Sequence, residues 1–251
     1  MQSAFQTTRW TLILQVANTA NKDDQQAALA ELISLNWFPL YTFLRRSGKK
    51  ADEAEDLIQG FFARLIEKKT LEQVEGPQRG RFRNFLLVCL KRYISGEWQK
   101  SQAQRRGGGK LQLSLDFQAA DQRYQIEPFH ELTPEIAFNR GWALDVIERG
   151  LETVRQAWEA AGKGDRFEAL KGYLSASGQS PSYRDLSEKL GSSESALRVA
   201  VHRLRADFRQ AICDIVADTL ESGDLLEDEI NQLIPNLLSK MVNQQGFRLL
   251  H

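Results

Sequence analysis

Between Tyr183 and Arg205 the sequence reads YRDLSEKLGSSESALRVAVHRLR, and its side chains are set out for recognition through charge and hydrogen bonds. Ser182 is placed to cap a helix, with Asp185 three residues on in the position that answers a capping serine. Tyr183, Leu186 and Leu190 form one apolar stripe at i, i+3, i+7. Gly191 suits the left-handed backbone that ends a helix, and Ser192 and Ser193 can cap the next one. In that second helix Leu197, Val201, Leu204 and Phe208 recur at i, i+4, i+7, i+11 and predict a core face. Arg198, His202, Arg205 and Arg209 fall on the opposite face. A short helix, a tight turn and a second helix with a basic outer face is the layout that carries side chains into a DNA major groove. It is equally the layout of an ordinary helical hairpin with a solvated basic face, so the segment alone leaves both readings open.

Residue types for catalysis are sparse. The three histidines stand far apart at His130, His202 and His251, with no HExxH pair and no Cys/His spacing for a metal. The glycines at 107–109 precede Lys110 but follow no strand, so a phosphate loop is a weak candidate there. The expectation is a protein without enzymatic activity, cofactor or bound metal.

Charge is segregated behind a formal net charge of zero. From Arg79 to Lys110 there are nine basic residues against the single acid Glu97. From Asp214 to Glu229 there are seven acids and no basic residue, and a smaller acidic cluster sits at Asp52, Glu53, Glu55 and Asp56. A basic stretch of that density suggests contact with phosphate. The acidic faces suggest a basic protein partner or simple solvation. No apolar run approaches the ~18 residues of a membrane span, and the opening MQSAFQTTRWTLILQ lacks a signal-peptide pattern. Cys89 and Cys213 lie far apart in helical patterns, as small core residues of a reduced protein would. No membrane contact and a cytoplasmic location are therefore expected.

The elements that must position these residues read almost entirely as helix. A short amphipathic piece covers 8–18. A second pattern over 26–46 holds Leu29, Leu32, Ile33, Leu40 and Phe43 and is broken by Pro39. Over 52–68, Leu57, Ile58, Phe61, Phe62, Leu65 and Ile66 make a wide apolar stripe, with Asp52, Asp56 and Gln59 on another face. Glu75-Gly76-Pro77 opens a loop. From Phe85 to about Gln102 a helix is predicted, with Leu86, Leu90, Tyr93 and Ile94 turned inward. Gly107-Gly108-Gly109 breaks the pattern. Thr133-Pro134-Glu135 starts the next helix, with threonine as cap, proline at the first position and an acid in the first turn. Helices follow at about 134–160, 165–175, 182–190 and 193–220, and a last short one begins near Ile230. Leu111 to Leu115 is the one strand-like alternation. The expected fold is all-α, with two helical domains joined by a linker. Its parts are an extension at 1–25, a first domain at 26–106, a linker with short ordered pieces at 107–132, a second domain at 133–225 ending in the two-helix segment, and a tail at 226–251.

This order of parts resembles the sigma factors of bacterial RNA polymerase, in particular the small extracytoplasmic-function group that keeps only regions two and four. Three stretches carry the resemblance. Ala51 to Phe62, ADEAEDLIQGFF, is similar to the helix that docks on the polymerase. Arg79 to Leu86, RGRFRNFL, is similar to the loop and entry of the promoter-reading helix. Tyr183 to Arg205 is similar to the region-four helix-turn-helix. Thr8-Arg9-Trp10 and the glycines after Arg106 resemble a large variant of the group, and the likeness covers about residues 8–225.

The resemblance implies partners and roles. Core RNA polymerase would meet Asp52, Asp56 and Gln59, with Phe62 as apolar anchor. Acids on such a rim steer association and fix register more than they add affinity. At the −10 element, opened as single strand, Arg79, Arg81 and Arg83 would contact phosphates and Asn84 a base edge. Arg92 and Lys100 would line the following helix, and Phe82 and Trp98 would be the aromatics outside the core. Arg92 and Gly96 depart from the asparagine and aspartate frequent in the family. At the −35 element, as duplex, Ser195, Arg198, Val199 and His202 would reach base edges, and Arg203 and Arg205 phosphates. An anti-sigma factor is a further partner that the resemblance allows. Two rivals remain. A helix-turn-helix regulator acting independently of core polymerase explains Tyr183 to Arg205 but leaves the basic stretch idle. A purely protein-binding helical adaptor needs neither basic surface.

Overall fold

The computed structural model describes residues 33–34, 36–67, 82–101, 115–126, 132–174, 181–220 and 226–233. Among them the protein is all-α, with nine α-helices, one 3-10 turn and no strand. The helices are α1 (Trp37–Arg46), α2 (Ala51–Glu67), α3 (Phe82–Ser101), α4 (Phe117–Ile126), α5 (Pro134–Ala160), α6 (Gly164–Leu170), α7 (Tyr183–Leu190), α8 (Glu194–Ala217) and α9 (Leu226–Leu233). The 3-10 turn spans Lys171–Leu174. The chain divides into two compact units, one of residues 1–145 and 217–225, the other of 146–216 and 226–251, so the division falls inside α5.

In the first unit α1 packs on α2 and α2 on α3. The 26–46 pattern is interrupted at Asn36, and Pro39 lies in the first turn of α1 that follows, where a missing N–H costs nothing. The core is built from Leu40, Tyr41 and Leu44 of α1, Ile58 and Phe62 of α2, Phe82, Leu86 and Leu90 of α3, and Phe138 and Trp142 of α5. Two close approaches hold it tight. A Cβ on Gly141 would lie 2.8 Å from Thr42 Oγ1 and 3.3 Å from the Pro39 backbone, so α5 crosses α1 at a residue without a side chain. Gly60 likewise lets the Tyr93 hydroxyl lie against α2. The α4 helix, within the stretch read as linker, is fastened by rings and cations: Trp37 meets Phe117 edge-on at 5.0 Å, Arg123 lies 4.2 Å over Phe38, and Arg45 pairs with Asp121.

In the second unit α8 supplies Leu197, Val201, Leu204, Phe208, Ile212 and Ile215 to the core, against Val154 and Trp158 of α5, Phe167 and Leu170 of α6, and Leu186 of α7. At Gly150 a Cβ would lie 3.0 Å from Ile212 and 3.3 Å from Phe208, the point where α5 and α8 come closest. Both cysteines are half-buried, and burial pushes each thiol pKa up, against the lowering influence of Arg92 beside Cys89 and Arg209 beside Cys213. No helix among the described residues is long and apolar enough to cross a membrane.

Candidate nucleic-acid interface

The two helices that carry the basic face end where their residue types require. Ser182 Oγ accepts from the Asp185 N–H at 3.1 Å and caps α7. Gly191 ends it at φ 59°, ψ 29°, left-handed backbone that glycine adopts without penalty. Ser193, not Ser192, caps α8 by accepting from the Ala196 N–H at 3.3 Å. Leu197, Val201, Leu204 and Phe208 are all buried, so the register of α8 is fixed and its outer face is determined.

On that outer face Ser195, Arg198 and His202 are exposed. Arg198 is held in place on two sides. Its guanidinium lies 4.5 Å over the Tyr183 ring and 3.6 Å from Glu194. Tyr183, half-exposed and not the core residue its spacing suggests, stacks in turn on Tyr173 at 5.0 Å and 25°. The result is a three-layer stack of Tyr173, Tyr183 and Arg198. Burial raises the Tyr173 hydroxyl pKa, helped by Tyr183 and Asp185 and opposed by Arg198. The same hydroxyl donates to the Pro181 carbonyl, tying the 3-10 turn to the start of α7.

Arg205 has other work than a phosphate contact. Its Nε and Nη2 donate to the Tyr173 carbonyl at 3.2 and 3.1 Å, and the side chain is half-buried. The guanidinium thus ties α8 to the C-terminal end of the 3-10 turn. Arg203 and Val199 are exposed, but they lie on a different stripe of α8 from Arg198 and His202: with Ala196, Ala200 and Asp207 they line a cleft against α5. At 3.6 residues per turn Arg203 stands about 100–140° round the helix from His202 and Arg198.

In the first unit three expectations are corrected. Phe62 is fully buried, packed beside Phe61 at 5.1 Å, and offers no exposed anchor. It continues the Ile58, Phe62, Leu65 stripe that faces the core. Phe82 is also fully buried, against Phe85 and Trp142, because α3 begins at Phe82 and puts it in line with Leu86 and Leu90. Phe85 is the partly exposed ring of the pair. Arg83 is buried and its Nη1 donates to Asn139 Oδ1, which withdraws it from any phosphate. Arg79 and Arg81 lie outside the described residues, as do the side chains of Trp98 and Lys100.

What α3 presents outward is Asn84, Val88, Lys91, Arg92 and Ser95, a stripe at i, i+4, i+7, i+8, i+11. Lys91 is paired with Glu135 at 2.7 Å, and this hydrogen bond lowers the Glu135 carboxyl pKa below its usual range. Asp52, Glu53 and Asp56 are exposed on α2, and Gln59 is half-buried with its amide donating to Glu55 at 3.1 Å. Glu53 also accepts from the Lys50 N–H at 3.1 Å, so this acid serves the helix end as well as the surface. No group of three or more His, Cys, Asp or Glu residues placed to hold a metal occurs among the described residues.

Comparison with protein-family models, curated proteins and solved structures finds no match to this chain.

The features that sequence reasoning missed are the Tyr173–Tyr183–Arg198 stack, exposed Val88 and the cations Lys163 and Arg166 beside the cleft. Spacing could have found Val88, since it falls four residues after Asn84 on the face away from Leu86 and Leu90. Tyr173 carries no local signal, because the residues it meets come from other elements, and Lys163 none, because the cleft it lines is formed by several elements.

Proposed function

We propose that the protein is a sigma factor that binds core RNA polymerase and directs promoter-specific initiation. The observation that carries the reading is the outer face of α8: Ser195, Arg198 and His202 stand exposed on a helix whose other face is packed, with Arg198 pre-set by Tyr183 and Glu194. A guanidinium ordered before contact loses less freedom on meeting a guanine edge, a pairing worth ~1–3 kcal/mol of discrimination. In this reading α8 meets the −35 duplex. Asn84, Val88 and Arg92 replace the buried Phe82 and Arg83 as the α3 residues facing the −10 strand, alongside Arg79, Arg81, Trp98 and Lys100. Asp52 and Asp56 with Gln59 meet the polymerase without help from Phe62. The chain acts without catalytic chemistry of its own, in the cytoplasm, with an anti-sigma factor as a further partner.

Burial of Phe82 and Arg83 favours a second reading, since it removes two groups from strand capture. That reading is a duplex-binding regulator independent of core polymerase. In vitro transcription with core polymerase on a genomic library separates the two. Promoter-specific initiation that depends on the added chain supports the sigma reading. Tight sequence-specific duplex binding that polymerase does not change, with no initiation, overturns it.

A further inference from the structure

Within the second unit, between the C-terminal turns of α5 and the first half of α8, lies a cleft of about 370 Å³. It exists because the facing residues are small. Ala157 and Ala161 on α5 look across at Ala196 and Ala200 on α8, and four methyl groups do not fill the space between two helices. Trp158 and Val199 add apolar wall. The indole Nε1–H donates to Asp207 Oδ2 at 2.9 Å, which engages the one carboxylate of the lining. Three cations, Lys163, Arg166 and Arg203, stand around this apolar floor. A volume in this range with mostly apolar lining and a few convergent polar groups is the ordinary form of a small-molecule site.

Arg166 points to the ligand. Its Nη2 donates to the Ala196 carbonyl at 3.3 Å, which fixes the guanidinium between α6 and α8. Its Nε is shut away from solvent and has no acceptor among the described residues. An atom closed to water is closed to a ligand oxygen too, so an anion in the cleft would be met by the rest of this guanidinium, which lines it together with Lys163 and Arg203, and an anionic oxygen is the partner such charged donors bind best. The cleft stripe of α8 is distinct from the stripe of Ser195, Arg198 and His202, so this site does not depend on what that other face binds.

We propose that the cleft binds a small aromatic anion. The flat ring would lie on the alanines beside Trp158, and a phosphate or carboxylate head would reach Arg166, with Lys163 and Arg203 neutralising the rest of its charge. Such a site would let a metabolite stabilise the packing of α5 on α8.

Calorimetric titration of the full chain with 1-naphthyl phosphate tests this, with inorganic phosphate and 1-naphthol as the head and ring alone. The expected result is saturable one-to-one binding, stronger than to either part. Arg166→Ala should weaken it about tenfold or more, as removal of a charge-assisted hydrogen bond does. Ala157→Phe, which fills the cleft from its exposed side, should abolish it with the thermal midpoint unchanged. If Arg166→Ala does not fold, Arg203→Ala takes its place. Absence of saturation by ~10 mM ligand, where the free energy gained is slight, overturns the proposal. So does binding that survives Ala157→Phe, or inorganic phosphate that binds as well as the aromatic ester.

Discussion

Arg198 and Arg205 stand two turns apart on α8, and their guanidinium groups are engaged in different ways. Arg205 is bound through two nitrogens to the Tyr173 carbonyl. Arg205→Ala should therefore lower stability by ~1–3 kcal/mol, the range for losing hydrogen bonds from a charged donor, seen as a fall in the chemical-denaturation midpoint. Arg198 has, among the described residues, an exposed stacking contact, worth ~0.5–1 kcal/mol, and a surface ion pair. Arg198→Ala should leave the midpoint nearly unchanged while relaxing base preference at the upstream promoter element, as read by footprinting on variant duplexes. Glu152 gives a pH test. Hydrogen bonds from Arg155 and then Gln156 pull its carboxyl pKa down to about 2. A folded pKa below the unfolded one stabilises the native state above the ordinary carboxylate range, and that contribution is lost as pH falls through about 2. An NMR titration should place the Glu152 midpoint there, and Arg155→Met should return it toward the usual range. Spacing alone already held the answer for Phe62 and Phe82, since each extends an apolar stripe by one turn. For Arg83 and Arg205 it held none. Their partners, Asn139 and Tyr173, lie 56 and 32 residues away, and no periodicity links them.

Helix ends were the most legible elements. Ser182, Gly191 and Ser193 work through neighbours two to four residues off, so the signal for α7 and α8 is complete within the segment. Helix crossings were not legible, because a glycine inside a helix looks the same whether it serves packing or nothing. Gly141 and Gly96 separate the cases. At Gly141 an added methyl would press on the Pro39 backbone as well as Thr42, and Gly141→Ala should destabilise by ~1–3 kcal/mol, the range for overpacking. At Gly96 nothing among the described residues lies within 4 Å of where a Cβ would stand. Gly96→Ala should gain up to ~1 kcal/mol from helix propensity. Denaturation of both variants beside the parent checks the pair, and equal shifts of one sign would refute the distinction. The α4 helix was readable only as a short ordered piece, since its hold on α1 comes from Arg45, Arg123, Trp37 and Phe117 together.

At the scale of the whole chain, the spacing of apolar residues predicted an all-helical protein, and the helices among the described residues accord with that class. The sequence puts a boundary at the Thr133 cap of α5, whereas contacts divide the chain after Asp145, inside that helix. An amphipathic helix has one period along its length, and the period does not record that its two halves pack on different neighbours. Charge segregation makes a prediction at this scale. Asp56→Lys combined with Gln59→Ala alters an exposed and a half-buried side chain on α2 and removes no core residue. The pair should weaken binding to core polymerase, most at low salt where exposed charges are least screened, with the melting midpoint held. Unchanged binding across a salt series would place the polymerase contact elsewhere.

The stack of Tyr173, Tyr183 and Arg198 also makes the interface an optical and magnetic object. A tyrosine held between another ring and a cation feels both a ring current and a fixed charge. When a base takes up the charge of Arg198, the field at Tyr183 changes while the ring current from Tyr173 stays. A fluorine placed on the Tyr183 ring should then shift its resonance when duplex is added, and an Arg198→Ala variant should start at the shifted position and stay there. The protein thus carries its own gauge of when Arg198 is engaged, built from two residues that need not touch the partner at all.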